Sequence, residues 1–300
     1  MTEPLRVVVG GASGFLGTAL VDELRARGHA VTRLVRGDAG PADASPWDPV
    51  SGQIDQRLID EADVVVNLSG AGIQRWPRTK AYKREILDSR VSATSTLARA
   101  VARSRTPAAL LSGSGMSYYG ADRGDTVLPE SATPGEGFLA DVTHQWEAAT
   151  APAAEAGARV CLLRTSLVLD ESGGALKLMA VPFKRYGGAV LGSGEQYFSY
   201  ISRRDWVRAV VHLAEHDVSG PVNLATADPV TNRTFTHELA RALDAKAFLK
   251  APAPVLKLAL GGLSDELLGS LRLEPRALSQ SGFSFEAPDL SSTLADALGS

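Results

Sequence analysis

The chain is short of several things that would otherwise decide its class. Its 300 residues contain one cysteine, Cys161, so no disulfide can form within it. That thiol lies in the apolar run RVCLLRTSLVL over 159–169, where a buried, inert side chain is expected rather than a nucleophile. No apolar run is long enough to span a bilayer, which sets membrane partners aside. With a net charge of −3 and no block of basic residues, the sequence lacks the electrostatic footprint of a nucleic-acid binder. Neither a Walker A loop nor a G-x-S-x-G elbow occurs, which removes the strongest sequence signals for a nucleoside triphosphatase or an α/β-hydrolase. The opening, MTEPLRVVVGG over 1–11, runs straight into a strand pattern without the apolar segment and cleavage site of a secretory signal, so a cytoplasmic address is expected. His212 and His216 are spaced for one helix face, but no third ligand forms a motif beside them; a solvated or packed face is expected, and no metal.

What is present begins with VVVGGASGFLG over 7–17, an apolar run that stops at a glycine cluster and leads into the helical pattern TALVDELRARG over 18–28. A strand, a tight turn and a helix N-terminus make an anion site. Gly11 permits the turn, Gly14 lets backbone N–H groups approach a pyrophosphate, and Gly17 lets the helix pack close to the strand. A second apolar strand over 30–35 supplies the βαβ context that the motif needs, although a glycine turn that serves only the fold has the same spacing. The expected dinucleotide contacts in this loop are Gly11, Ser13, Gly14, Phe15, Leu16 and Gly17.

Sites that prefer NAD carry an acid at the end of the second strand, whereas an arginine there suits a 2′-phosphate. This chain has Arg36 in that place with Arg33 nearby, so NADP is favoured as cofactor. Two alternatives stay open: the arginines are ordinary solvated charges, or Asp38 reaches a ribose hydroxyl.

Further apolar runs at 63–68, 108–112 and 159–169 alternate with helical patterns at 79–105 and 138–157. Repeated β–α alternation predicts an α/β fold, a Rossmann-type doubly wound parallel sheet. After about Leu169 glycine and proline punctuate the chain to Tyr200. Helices near 205–216 and 234–243 follow, with a short strand at 221–225 between them. The reading is a Rossmann domain over 1–169 and a smaller C-terminal substrate lobe over 170–300, in close contact, with the 221–225 strand returning to the main sheet. Asp205, before WVRAVVHLA, is expected as a helix N-cap.

The strings GGASGFLG over 10–17, NLSGAGI over 67–73, Arg75-Trp76 and DSRVSAT over 88–94 resemble the extended short-chain dehydrogenase/reductase superfamily. More narrowly, they resemble its NAD(P)-dependent epimerase-like branch of sugar-epimerase homologues, some of which carry an old label as cell-division inhibitors. GGAVLGSGEQ over 187–196, PVTN over 229–232 and the tail over 274–290 fit the same branch, so the resemblance spans essentially the whole chain. It adds Leu68, Ser69 and Gly70 to the expected cofactor contacts. It also implies a Tyr-x-x-x-Lys pair for proton exchange on the helix FLADVTHQWEAA over 138–149. Here the sequence departs from the family. With Glu147 set on the family's helix glutamate, Leu139 stands where the tyrosine belongs and Thr143 where the lysine belongs, and neither can do that work.

The remaining proton-handling candidates lie in LSGSGMSYYG over 111–120: Ser114, with Ser112 as its rival, and Tyr118 or Tyr119 from the following loop. The Ser-Gly alternation also suits a permissive turn. Gln196, Ser199 and Tyr200 are expected to contact substrate. Two functions follow. One is an NADP(H)-dependent epimerase or reductase-like protein acting on a nucleotide sugar or small carbonyl compound; the other is a non-catalytic NADP(H) sensor. The expected partner is a small-molecule substrate, and a homo-oligomer stays open.

Overall fold

The computed structural model describes residues 3–37, 40–73, 75, 77–260 and 263–299. Seven strands form one sheet: β1 (Arg6–Gly10), β2 (Ala30–Val35), β3 (Ala44–Pro46), β4 (Val64–Asn67), β5 (Ala109–Gly115), β6 (Val160–Thr165) and β7 (Gly220–Leu224). Their order is β7-β6-β5-β4-β1-β2-β3. β1 runs parallel to both β2 and β4, β3 is parallel to β2, and β5 is parallel to β4. Every residue of β4 is buried, as expected of a parallel strand with both faces covered. The order reverses at β1, because the chain steps outward through β2 and β3 and then returns to lay β4 on the other side. In a Rossmann-type fold the carboxyl ends of the strands at such a reversal border the ligand crevice.

The helices up to residue 242 are α1 (Phe15–Ala26), α2 (Gln56–Asp60), α3 (Lys80–Arg103), α4 (Phe138–Ala148), α5 (Ala151–Glu155), α6 (Gly174–Tyr186), α7 (Arg203–Glu215) and α8 (Asn232–Ala242). Thr79 caps α3 by accepting from the Tyr82 N–H at 3.2 Å. The inner face of α3, Ala93, Leu97 and Val101, packs in one cluster with Val8, Val65 and Leu110 of the sheet.

By contacts the chain forms two compact units of similar length. The first comprises residues 1–114, 141–163 and 207–222; the second comprises 115–140, 164–206 and 223–300. Where the sequence places one boundary at 169, the chain passes between units several times. β7 sits in the large sheet although two segments of the second unit precede it in sequence.

Two long elements expected from periodicity are each broken. The run over 159–169 becomes β6 and a separate strand, Leu167–Asp170, which pairs in parallel with Tyr200–Ser202. Ser166 marks the break, donating from its backbone (3.1 Å) and from its hydroxyl (2.8 Å) to the same Leu224 carbonyl. The helical pattern over 138–157 splits into α4 and α5, because Pro152 offers no N–H and its ring opposes the carbonyl four residues back. Conversely, the glycine- and proline-punctuated stretch after 172 contains the 13-residue helix α6, with Pro182 inside it.

Asp205 is not the cap of α7. The Ser202 hydroxyl accepts from the Asp205 N–H at 3.0 Å, and the buried Asp205 carboxylate instead accepts from the backbone of Glu286 (3.0 Å) and Ala287 (2.8 Å). It tethers the C-terminal segment inside the second unit.

At Gly17 a Cβ would lie 2.2 Å from the Gly11 carbonyl oxygen and 2.9 Å from Ala12 Cα. Backbone atoms cannot swing aside, so Gly17→Ala must push α1 off the turn. We expect a loss of about 1–3 kcal/mol, read as a lower urea midpoint with unchanged slope; an unchanged midpoint would show that the turn yields freely.

Candidate functional site

The turn after β1 has the geometry that its glycines permit. Gly11 has φ +77°, and a Cβ there would meet the Leu68 carbonyl carbon at 2.6 Å. The Gly14 N–H closes the turn on the Gly11 carbonyl at 3.1 Å. Gly14 then caps α1 with no side-chain acceptor, and the first turn of the helix holds no acid. The positive end of α1 is therefore left uncompensated by local side chains, which is what an anion-binding helix terminus requires. Ser13 and Gly14 are exposed there, Phe15 and Leu16 half-buried, and Gly17 buried.

At the end of β2 the two arginines part company. Arg33 gives its Nε (3.0 Å) and Nη2 (2.8 Å) to Asp43, a bidentate pair. That fork, helped by Arg25, lowers the Asp43 carboxyl to about 2. Arg33, expected at the phosphate, thus has its fork paired with a carboxylate. Arg36 is exposed and has no partner among the described residues. Asp38 and Trp76 lie outside the described residues.

Beside the glycine turn, the segment after β4 is fixed by its own backbone and by α3. The Leu68 N–H donates to the Gly10 carbonyl at 2.9 Å, and the Ser69 N–H to Asn67 Oδ1 at 3.1 Å. Asn67, fully buried, gives its amide to Thr94 Oγ1 at 2.9 Å. From α3, Ser89 Oγ accepts the Ala71 N–H, Arg90 Nη1 donates to the Ala71 carbonyl, both at 2.9 Å, and the Tyr82 hydroxyl donates to the Gly72 carbonyl. One polar atom in this closely bonded loop is left over. Ser69 Oγ is buried and has no hydrogen-bond partner.

The end of β5 brings in a residue that the sequence offered only as a ruler for alignment. Ser114, 5% exposed, donates its hydroxyl to Glu147 Oε1 at 2.6 Å, a short charge-assisted bond. Ser112, the rival, is fully buried, and its hydroxyl makes only a 3.4 Å contact to the neighbouring Gly113 carbonyl. Trp146, one residue before Glu147, packs where a Gly113 side chain would be, with Cζ2 2.7 Å from the position of a Cβ. Its indole Nε1 is buried without a partner. The signal available in the sequence was the spacing itself, since Glu147 lies four residues beyond Thr143 on the face that should carry the missing lysine. Leu139 and Thr143 both lie on α4, which therefore supplies neither phenol nor ammonium at those positions.

The remaining expected site residues lie in the second unit. Tyr119 is fully buried; its hydroxyl donates to Asn223 Oδ1 at 2.8 Å and accepts from Arg164 at 3.0 Å, and burial raises its pKa. Tyr118 is half-buried, set edge-on to Tyr119, with the Arg164 guanidinium 3.3 Å above its ring. Ser199 Oγ donates to the Leu271 carbonyl (2.8 Å) and accepts the Leu273 N–H (2.9 Å), and Gln196 Nε2 donates to the Leu191 carbonyl at 3.1 Å. Tyr200 is fully buried among Leu169, Phe198 and Phe235, where desolvation raises its phenol. Of the three expected substrate contacts, Gln196 and Ser199 are thus bonded to the backbone, whereas the Tyr200 hydroxyl is buried without a hydrogen-bond partner. Among the described residues no group of three His, Cys, Asp or Glu side chains is placed to hold a metal, and no helix is long and apolar enough to cross a membrane.

Comparison with known proteins adds a lineage to this geometry. Residues 7–225 match the NAD dependent epimerase/dehydratase family, and residues 251–297 match a domain of unknown function, DUF1731. The chain is 41% identical to Epimerase family protein Mb2239 of Mycobacterium bovis over 295 residues, covering 98% of this chain and 96% of that protein. It is 34% identical to Epimerase family protein SDR39U1 of Bos taurus, covering 98% of this chain and all of the relative. Among solved structures, human epimerase family protein SDR39U1 (isoform 2) with NADPH aligns with a TM-score of 0.87 at 31% identity, covering 98% and 99% of the two chains. A nucleoside-diphosphate sugar epimerase from Corynebacterium glutamicum aligns with a TM-score of 0.80 at 35% identity, over 99% of this chain and 59% of that one. A family match across most of the sequence, full-length relatives and a sheet that reverses at β1 together make this chain a member of the NAD dependent epimerase/dehydratase family.

Proposed function

We propose that the protein is an NADP(H)-dependent epimerase or reductase-like enzyme, acting on a nucleotide sugar or small carbonyl compound through Ser114 and Glu147. The observation that carries the reading is the 2.6 Å hydrogen bond between those two side chains at the end of β5. The cofactor fits the residues present: the uncapped N-terminus of α1 suits a pyrophosphate, and the unpartnered Ser69 Oγ lies beside the turn. Exposed Arg36 suits a 2′-phosphate. The NADPH carried by human SDR39U1 supports the same choice. When bound, such a cofactor supplies hydride exchange at a substrate carbon.

The protein's own part is the proton. A substrate hydroxyl within reach of Ser114 passes its proton to Oγ as the serine proton passes to Glu147 Oε1. In the opposite direction the hydroxyl of Ser114 returns a proton to the forming alkoxide, and Glu147 re-protonates the serine. This relay needs no phenol and no ammonium, which accounts for a working site with Leu139 and Thr143 in the family's tyrosine and lysine positions. Those same two residues favour the other reading, an NADP(H)-responsive sensor without turnover.

Two expectations follow. NADPH binds more tightly than NADH, and Arg36→Ala narrows the difference by removing a charge-assisted contact worth about 1.5–3 kcal/mol. Added salt weakens NADPH more than NADH, and equal affinities in the unmodified protein would overturn the cofactor choice. For the relay, deuterium from 4-deuterated NADPH reaches a product in a panel of carbonyl compounds and nucleotide sugars. Ser114→Ala and Glu147→Gln each slow that transfer by about 10²–10⁴-fold while NADPH affinity holds. Absence of transfer across the panel, with NADPH bound, would move the reading to the sensor.

A further inference from the structure

We propose that Arg90 is the receptor for an oxyanion, a carboxylate or a phosphate, carried by the small-molecule substrate. The proposal rests on the enzyme reading above and deepens it by giving the substrate a charge.

Arg90 lies on α3 beside the loop that follows β4. A Cβ at Gly70 would come within 3.1 Å of its Cζ, so glycine there leaves room for the guanidinium. Its Nη1 donates to the carbonyls of Ala71 and Ile86, both at 2.9 Å. Those two bonds occupy one of the three nitrogens. Nε and Nη2 have no partner among the described residues, and no carboxylate among them pairs with the group. A guanidinium has five donors in a planar fork matched to two oxygens of one anion, and here the free edge of the fork is that bidentate edge. Desolvation without a compensating acid lowers Arg90 to about 10, a cost that an incoming anion removes.

The surroundings place this fork at the reacting end of the site. Arg90 Cζ stands 5.0 Å from the centre of the Trp146 ring, and that ring packs on Gly113, the neighbour of Ser114 in β5. Trp146 and Glu147 are consecutive, so the residue that stacks on the guanidinium is joined to the residue that bonds Ser114. Two buried polar atoms close by also lack partners, Trp146 Nε1 and Ser69 Oγ, the second adjacent to Gly70. The cofactor's charges are met elsewhere in the reading above, by the α1 terminus beside β1 and by Arg36 after β2. Arg90 is one strand further along, at β4 and β5, where the substrate must lie to reach Ser114.

The test is calorimetric titration of the NADPH-saturated protein with malonate and with inorganic phosphate, malonamide serving as the uncharged control. We expect at least one oxyanion to bind wild type about ten to a hundred times more tightly than R90Q, with malonamide indifferent to the substitution and the NADPH Kd of R90Q within about threefold of wild type. R90K, which keeps the charge and loses the fork, covers the case in which R90Q fails to fold, and must bind the oxyanion less tightly than wild type. Equal oxyanion affinity in wild type and variants, or no saturable oxyanion binding to wild type, would overturn the proposal. A tenfold loss of NADPH affinity in R90Q would overturn it too, by assigning the fork to the cofactor. Parallel titrations without NADPH keep the two readings apart: a protein that fails to bind NADPH yet binds the oxyanion through Arg90 refutes the cofactor reading alone.

Discussion

Much of the first unit depends on one close approach of backbone to backbone. Gly17 at the start of α1 sits so near the Gly11 carbonyl that no side chain fits between them, and Gly11 holds a positive φ against the Leu68 carbonyl. Helix, turn and the loop after β4 are thereby locked at distances only glycine allows. The consequence is electrostatic as much as steric, because the lock presents the end of α1 with neither a capping side chain nor an acid in its first turn. Nature usually fills a helix N-terminus with Ser, Thr, Asp or Asn. Leaving it bare is tolerable where a ligand does the capping.

The same accounting, applied to charges and donors, separates residues that support the fold from those left for chemistry. Arg33 is spent on Asp43, Asp205 on the backbone at 286–287, and the Tyr119 hydroxyl on Asn223 and Arg164. Asn223 completes its own set by donating to the Leu128 and Glu274 carbonyls at 3.0 and 2.9 Å. Those groups are satisfied, and an unsatisfied buried donor would cost on the order of 1–3 kcal/mol. Among the described residues the buried polar atoms without a partner lie in both units, Ser69 Oγ and Trp146 Nε1 in the first and the hydroxyls of Tyr200 and Thr226 in the second.

Loss of the Tyr-Lys pair has to be weighed against what stands near it. Tyrosine and lysine solve proton transfer with one acid tuned by one cation. In the proposed relay a serine bonded to a carboxylate takes their place, as a carrier and a reservoir. The local packing is consistent with that exchange: Gly113 makes space for the Trp146 indole, and the indole's position next to Glu147 in α4 fixes the carboxylate against β5.

The sequence by itself determined the sheet and its glycine turn. Apolar runs bounded by glycine and separated by helical periodicity leave few topologies, and the doubly wound parallel sheet, the βαβ unit and the place of the dinucleotide turn follow from local patterns of two, three and four residues. β2 appears at 30–35 as the pattern predicts, and α3 begins at its Thr79 cap. Only the tertiary structure decided which polar residues are free. That Arg33 meets Asp43, that Ser199 spans the Leu271 and Leu273 backbone, and that Ser114 finds Glu147 are pairings across 10, 72, 74 and 33 residues. No local pattern encodes such separations, because a side chain's chemistry depends on what is packed against it, and packing partners are chosen by the fold as a whole.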